Sequence, residues 1–231
     1  MIMANIFNDF ASPSVMSIPL IIMAIMIPWD TLPTPTLKWL QARLLLAQNR
    51  SFKTFLKQIF LPLGTEGYKW ATLLTSLFAF LATLNLLGGL PYTFTPGAQL
   101  SLSLVLASPL WLATVLIGAT KQPNKSIAHL LPESTPKYLI PLIILIETIS
   151  LMVRPVSLAV RLAANLTAGH LMIYMLSTAT LYMLYSFHFA LPMVLAVLIA
   201  LAILELAVAL IQAYVFVLLL SLYLKENIKT P

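Results

Sequence analysis

Two apolar stretches are too long for any soluble core. Leu139–Phe187 runs for about 49 residues and Ala190–Leu224 for about 35, which as α-helix is roughly 70 and 50 Å at 1.5 Å per residue. A bilayer can hold such segments, since its hydrocarbon is about 30 Å thick and takes about 20 apolar residues per crossing. Composition agrees. Of 231 residues, 60% are hydrophobic and 9% charged, whereas a typical soluble domain has about 25% charged residues. Alternation at period two is absent, which excludes a β-barrel in favour of an all-α polytopic membrane protein.

Further segments precede the long ones. Ser14–Ile27 is apolar but short, and a first transmembrane helix is expected over 14–28. Residues 36–60 carry Lys38, Arg43, Arg50, Lys53 and Lys57 with no acid, and Leu37, Leu40, Leu44, Phe52, Phe55 and Ile59 recur at mostly helical spacing. That pattern predicts an amphipathic helix lying on an anionic membrane face. Residues 70–118 read as a transmembrane hairpin, with segments Trp70–Gly88 and Gln99–Ile117 joined by the uncharged "GLPYTFTPGA". A polar loop over 119–137 follows, with three lysines against Glu133; its His129 reads as solvated.

Charge orients the chain. The 36–60 helix and the 119–137 loop are both basic, so the positive-inside rule puts both on the inner side. The hairpin turn then faces outward and the N-terminus starts outside. The tail "KENIKTP" is net basic and belongs inside. One crossing for each of 139–187 and 190–224 meets that condition, and no polar turn is visible within 190–224. Two long, strongly tilted helices joined near Ser186–His188 are therefore expected, with Pro141 and Pro155 as candidate kinks in the first. The net charge of +6 is absorbed by topology rather than by nucleic acid. No cleavable leader is recognised, and the sequons at Asn49, Asn124 and Asn165 read as chance matches. With no cysteine there are no disulfides and no thiolate chemistry.

The long segments carry polar groups where lipid makes them costly. The first holds Glu147, Arg154, Arg161, Asn165 and His170; the second holds Glu205 and Gln212. An ionised group at mid-membrane costs about 2.5–3.5 kcal/mol on insertion scales, so such groups line water or face a partner. Glu147, Arg154 and Arg161 are seven apart and nearly share a face, with Asn165 one turn beyond. In an antiparallel hairpin Arg161 would approach the level of Gln212, and His170 that of Glu205. Ala159, Ala163, Ala164, Ala168 and Gly169 read as a small-residue face around Arg161 that admits a close partner. Arginine holds its proton, which suits a fixed counter-charge and not a relay. Glutamate and histidine do titrate. Plainer readings stand beside these: a structural ion pair for Arg161 with Glu205 or Glu147, and a simple pairing of Arg154 with Glu147.

The stretches "LAVRLAANLTAGHL", "IETISL" and "LELAVALIQAYVF", supported by "LNLLGGLPYTFTPGAQLSL", resemble subunit a of the F-type ATP synthases in its mitochondrial form. The resemblance covers essentially the whole chain. It implies one outer transmembrane helix, a basic surface helix, a hairpin and two tilted helices against a c-ring. It gives Arg161 the place opposite the ring carboxylates, with Asn165 and Gln212 as polar neighbours. His170 and Glu205 match an outer half-channel pair, Glu147 an acid of the matrix-side half-channel and Glu226, more loosely, a C-terminal acid near the same exit. Arg154 lies outside the transferred motif. Implied partners are the c-ring, other stator subunits and membrane lipid, with cardiolipin a candidate at the surface helix. The implied location is the mitochondrial inner membrane, N-terminus toward the intermembrane space and C-terminus toward the matrix.

Rival classes find less support. No internal repeat marks a secondary transporter. No H-E-x-x-H, G-x-S-x-G or nucleophilic cysteine marks an intramembrane hydrolase, and no phosphate-binding loop marks nucleotide chemistry. A scaffold would not need Arg161, His170 and Glu205 at depth. The chain reads as non-catalytic, with neither cofactor nor metal implied.

Overall fold

The computed structural model describes residues 14–15, 18–31, 50, 54, 57, 68–90, 94–121, 123, 137–186 and 191–228. Within these, α1 spans Leu20–Thr31, α2 Ala71–Gly88, α3 Leu100–Lys121, α4 Ile140–Ser186 and α5 Leu191–Ile228. The described strands, β1 (Ser14–Val15) and β2 (Ile18–Pro19), pair as a two-residue antiparallel hairpin ahead of α1. Short 3₁₀ turns precede α2, α3 and α4. The predicted surface helix over 36–60 lies outside the described residues, apart from Arg50, Thr54 and Lys57, which are helical and exposed.

Among the described residues, four helices are long and apolar enough to cross a membrane: Ala71–Gly88, Leu100–Thr120, Ile140–Leu184 and Leu191–Asn227. The protein is all-α and polytopic. The 12 residues of α1 reach only about 18 Å, less than the hydrocarbon thickness. The two overlong stretches do not break in two. α4 continues for 47 residues through Pro155, and α5 for 38. Pro141 stands in the first turn of α4, where a missing N–H costs nothing. Many of their large apolar side chains are exposed, among them Ile146, Met152, Met172, Leu195 and Ile203. In water that would be untenable; in lipid it is the expected outer surface.

Hydroxyls in these helices are satisfied locally, as an apolar solvent requires. Thr75 donates to the carbonyls of Ala71 and Thr72 at 2.9 and 2.8 Å, and Thr114 to that of Trp111 at 2.7 Å. Ser177 bonds back to the Tyr174 carbonyl at 2.7 Å in the same way.

Contacts divide the chain into two compact units. The first takes Met1–Leu32, Ala79–Ser103 and Arg161–Tyr214. Its core holds Leu81, Leu84, Leu162, Ala163, Leu166, Ala209 and Ala213. Asn85 is 1% exposed there, and its side-chain amide donates to the Ala209 carbonyl at 3.1 Å, tying α2 to α5. The second takes Pro33–Phe78, Leu104–Val160 and Val215–Pro231, with Leu74, Phe78, Ala107, Leu158, Val217, Leu220 and Leu224 buried.

The buried face of α4 corrects one sequence reading. Ala159 and Ala163 are 0% and 3% exposed, whereas Arg161, Ala164 and Ala168 are exposed. At 100° per residue, positions two away from Arg161 lie nearly opposite it. The small residues that face outward with Arg161 are therefore Ala164 and Ala168; Ala159 and Ala163 pack inward.

Candidate functional site

Polar residues at membrane depth gather in two places. In the first unit, α4 and α5 bring His170 and Glu205 together, with Nε2 and Oε1 3.6 Å apart. Glu205 is 9% exposed. Both facing atoms are buried, and neither has a hydrogen-bond partner. The pair is thus within ion-pair range yet beyond hydrogen-bond length. Such groups carry the full desolvation cost with little return.

Gly169 makes the approach possible. A Cβ there would stand 3.0 Å from Glu205 Oε1, 3.1 Å from its Cδ and 3.3 Å from its Cγ. Even a methyl group there would make the carboxylate give way by a few tenths of an ångström.

Beside the pair lies a cavity of about 220 Å³, lined by Asn165, Gly169, Glu205 and Gln212 together with Leu166, Met172, Leu201, Leu204 and Val208. Three of the polar residues singled out from sequence, Asn165, Glu205 and Gln212, share this lining. A water needs roughly 10–15 Å³ of such space and two or more polar partners. The carboxylate and the two amides meet that need in an otherwise apolar chamber.

Arg161 lies off that lining. It is exposed on α4 and makes no ion pair or hydrogen bond among the described residues. Pairing with Glu205 or Glu147 is therefore not its role in this chain. Its outward neighbours at i+3, i+7 and i+11 are Ala164, Ala168 and Met172, all exposed. Two alanines in the turns that follow Arg161 leave room for another helix.

Three other charged residues, Arg154, Glu147 and Glu226, form a cluster within the second unit. Arg154 Nη1 donates to Glu226 Oε2 at 3.1 Å, and Nη2 stands 3.8 Å from Glu147 Oε1. The Arg154 guanidinium also lies 5.3 Å above the centre of the Tyr223 ring. Pairing with Glu147 is the plain reading drawn from sequence. The tighter bond to Glu226 and the Tyr223 contact are additions that sequence reasoning missed. Their available signal was Tyr223 and Glu226 at i, i+3 on one face of α5. Asn85 was also missed, although a lone amide in an apolar helix was the clue.

The described residues hold no cluster of His, Cys, Asp or Glu fit for a metal ion. A multi-pass helical membrane protein with an arginine unpaired among the described residues, a buried acid–histidine pair and a cavity lined in part by polar groups is built to handle charge within the membrane. Comparison with known proteins gives that class a family. The profile described as "ATP synthase A chain" matches residues 14–225. The chain is 53% identical to the ATP synthase F(0) complex subunit a of Gadus morhua over 224 residues, covering 97% of this chain and 99% of the relative. It is 55% identical to that of Struthio camelus over the same length and coverage. With that of Oncorhynchus masou it shares 56% over 219 residues, 95% of this chain and 100% of the relative. The chain belongs to the ATP synthase subunit a family.

Proposed function

We propose that the chain is the proton-translocating stator subunit of an ATP synthase membrane sector in the mitochondrial inner membrane. In this reading it offers two offset half-channels to a rotating c-ring, and Arg161 separates them. The observation that carries the proposal is the contrast along α4: Glu147 and Arg154 are ion-paired, His170 faces Glu205, and Arg161 has no partner among the described residues. A cation left unpaired at membrane depth is costly unless a partner from outside meets it.

Protons enter from the intermembrane space past His170 and Glu205. The gap between their facing atoms leaves each free to take and pass on a proton. The cavity with Asn165 and Gln212 leads toward a ring carboxylate, which becomes neutral on protonation and tolerates lipid as the ring turns. At the far side the carboxyl loses its proton past Glu147, with Glu226 at the same exit. Arg161 attracts the ionised carboxylate and denies a direct proton path between the two sides. One charge crossing 100 mV yields about 2.3 kcal/mol, so ATP synthesis needs several protons per turnover, which a ring collects. The basic 36–60 segment rests on anionic lipid, cardiolipin included, at the matrix face. The N-terminus faces the intermembrane space and the C-terminus the matrix.

Two experiments test this. Arg161→Ala in the reconstituted complex abolishes proton-driven ATP synthesis with assembly intact. Arg161→Lys fails as well, since an ammonium lacks the planar fork. Sustained synthesis in Arg161→Ala overturns the proposal. Topology is read from single cysteines at Leu45 and Lys229, each unique because the chain has none. Both label from the matrix side; opposite sidedness refutes the proposed crossings.

A further inference from the structure

Arg154 and Arg161 are seven residues apart on α4, two turns and about 10 Å along the axis. An α-helix drifts only about 20° per heptad, so the two leave the helix on nearly the same side. Either guanidinium can take a carboxylate in a two-pronged bond. A carboxylate passing this face would meet two stations, and the second would hold it where it should be leaving. Yet the two arginines differ in company. Arg161 is unpaired among the described residues. Arg154 is engaged on three sides, by Glu226 at 3.1 Å, by Glu147 at 3.8 Å and by the Tyr223 ring at 5.3 Å.

We propose that Glu226, with Glu147, keeps Arg154 neutralised so that α4 presents one free guanidinium, Arg161, to the ring carboxylate. Glu226, besides standing at the exit, is then a positioning residue that restrains a competing cation. The inference rests on the reading of Arg161 given above. The distances divide the labour. The hydrogen-bonded partner of Arg154 is Glu226, while Glu147 lies in ion-pair range without a hydrogen bond to the guanidinium. Glu147 therefore keeps acceptor sites open for a released proton, and Glu226 holds the fork. The Tyr223 ring covers the guanidinium and favours this position over one reaching out along α4.

The test compares Glu226→Gln, Arg154→Gln, their combination and Glu226→Asp in the assembled complex, by proton-driven ATP synthesis in proteoliposomes. Glu226→Gln frees Arg154 and slows synthesis about threefold to tenfold, a modest factor because partly exposed pairs are individually weak. Removing the freed cation as well, in the combined variant, returns the rate to within about twofold of wild type, the coupling that contacting residues show. Glu226→Asp keeps the charge and most of the rate. If Glu226→Gln blocks assembly, its recovery in the combined variant supports the proposal equally. The proposal is overturned if Glu226→Gln is as fast as wild type, or if the combined variant is no better than Glu226→Gln. The latter outcome leaves Glu226 with its place at the exit alone. Arg161→Ala runs alongside: retained synthesis there rejects the parent reading, whereas its loss with no rescue rejects this inference alone.

Discussion

Two groups of ionisable side chains among the described residues solve opposite problems. His170 and Glu205 are held close and left unsatisfied, 3.6 Å apart with no hydrogen bond to either facing atom. Arg154 keeps 26% of its side chain exposed, against 10% for Glu205, and shares a hydrogen bond, a second carboxylate and an aromatic ring. Burial without full pairing costs free energy, so the first arrangement persists because rigid packing enforces it. The second is close to what charges do when nothing prevents them from pairing. The unsatisfied pair is the one poised for chemistry; the satisfied cluster keeps a charge in place.

The largest effect that separates them is on the acid of the buried pair. Glu205→Gln removes a group that accepts and passes protons, and synthesis falls by about a hundredfold, the lower range for a lost acid–base group. Exchanging the residues, His170→Glu with Glu205→His, recovers part of that rate, because two titratable groups again share the site. Proton-driven synthesis in proteoliposomes decides the matter. An exchange no better than the worse single variant means that the two do not form one relay.

A smaller effect comes from two glycines with nearly equal steric surroundings. A Cβ at Gly169 meets Glu205 at 3.0 Å; one at Gly118 meets Asn227 Oδ1 at 3.1 Å. Each neighbour must give by a few tenths of an ångström. Gly169→Ala slows synthesis about tenfold, since small misplacements near reacting groups are expensive. Gly118→Ala changes it little, because Asn227 moves no proton. Equal losses in the two variants would show that helix packing, and not the placement of Glu205, sets the sensitivity.

Much of this was legible beforehand, and the reasons are physical. Long apolar runs announce membrane helices because lipid leaves no other way to satisfy the backbone. The meeting of His170 with Glu205 followed from helical spacing and an antiparallel hairpin. What spacing could not resolve was which face packs. Small residues surround Arg161 in sequence, yet Ala159 and Ala163 turn inward and Ala164 and Ala168 outward. In a soluble helix a polar stripe separates the faces; here both are apolar, and the pattern carries little orientation. The bond from Arg154 to Glu226 spans 72 positions and depends on packing that local sequence does not encode.

Asn85 supplies a structural effect of the next size. It is buried and donates to the Ala209 carbonyl, one turn from Glu205 on α5. Asn85→Ala loses that bond and leaves a small void, so the complex is destabilised by about 1 kcal/mol. Thermal dissociation of the purified complex reads this directly. Synthesis per assembled complex changes less than in Gly169→Ala, because Glu205 keeps its own place.

The smallest effect concerns Tyr223, whose ring lies 5.3 Å from the Arg154 guanidinium. Tyr223→Leu keeps an apolar side chain of useful bulk and removes the ring face. At a partly exposed site such a contact contributes about 0.5–1 kcal/mol. That is too little to free Arg154 while Glu226 still binds it, so synthesis falls less than twofold, within the additive range for a weak contact. The combination Tyr223→Leu with Glu226→Gln is more informative. With its hydrogen-bonding acid gone, Arg154 relies on the ring and on Glu147, and losing the ring then slows synthesis further than Glu226→Gln alone. In an Arg154→Gln background the same Tyr223 change has no effect, since no cation remains to hold. If Tyr223→Leu lowers the rate equally with and without Arg154, the ring acts through packing in α5, and the satisfied cluster is simpler than its three contacts suggest.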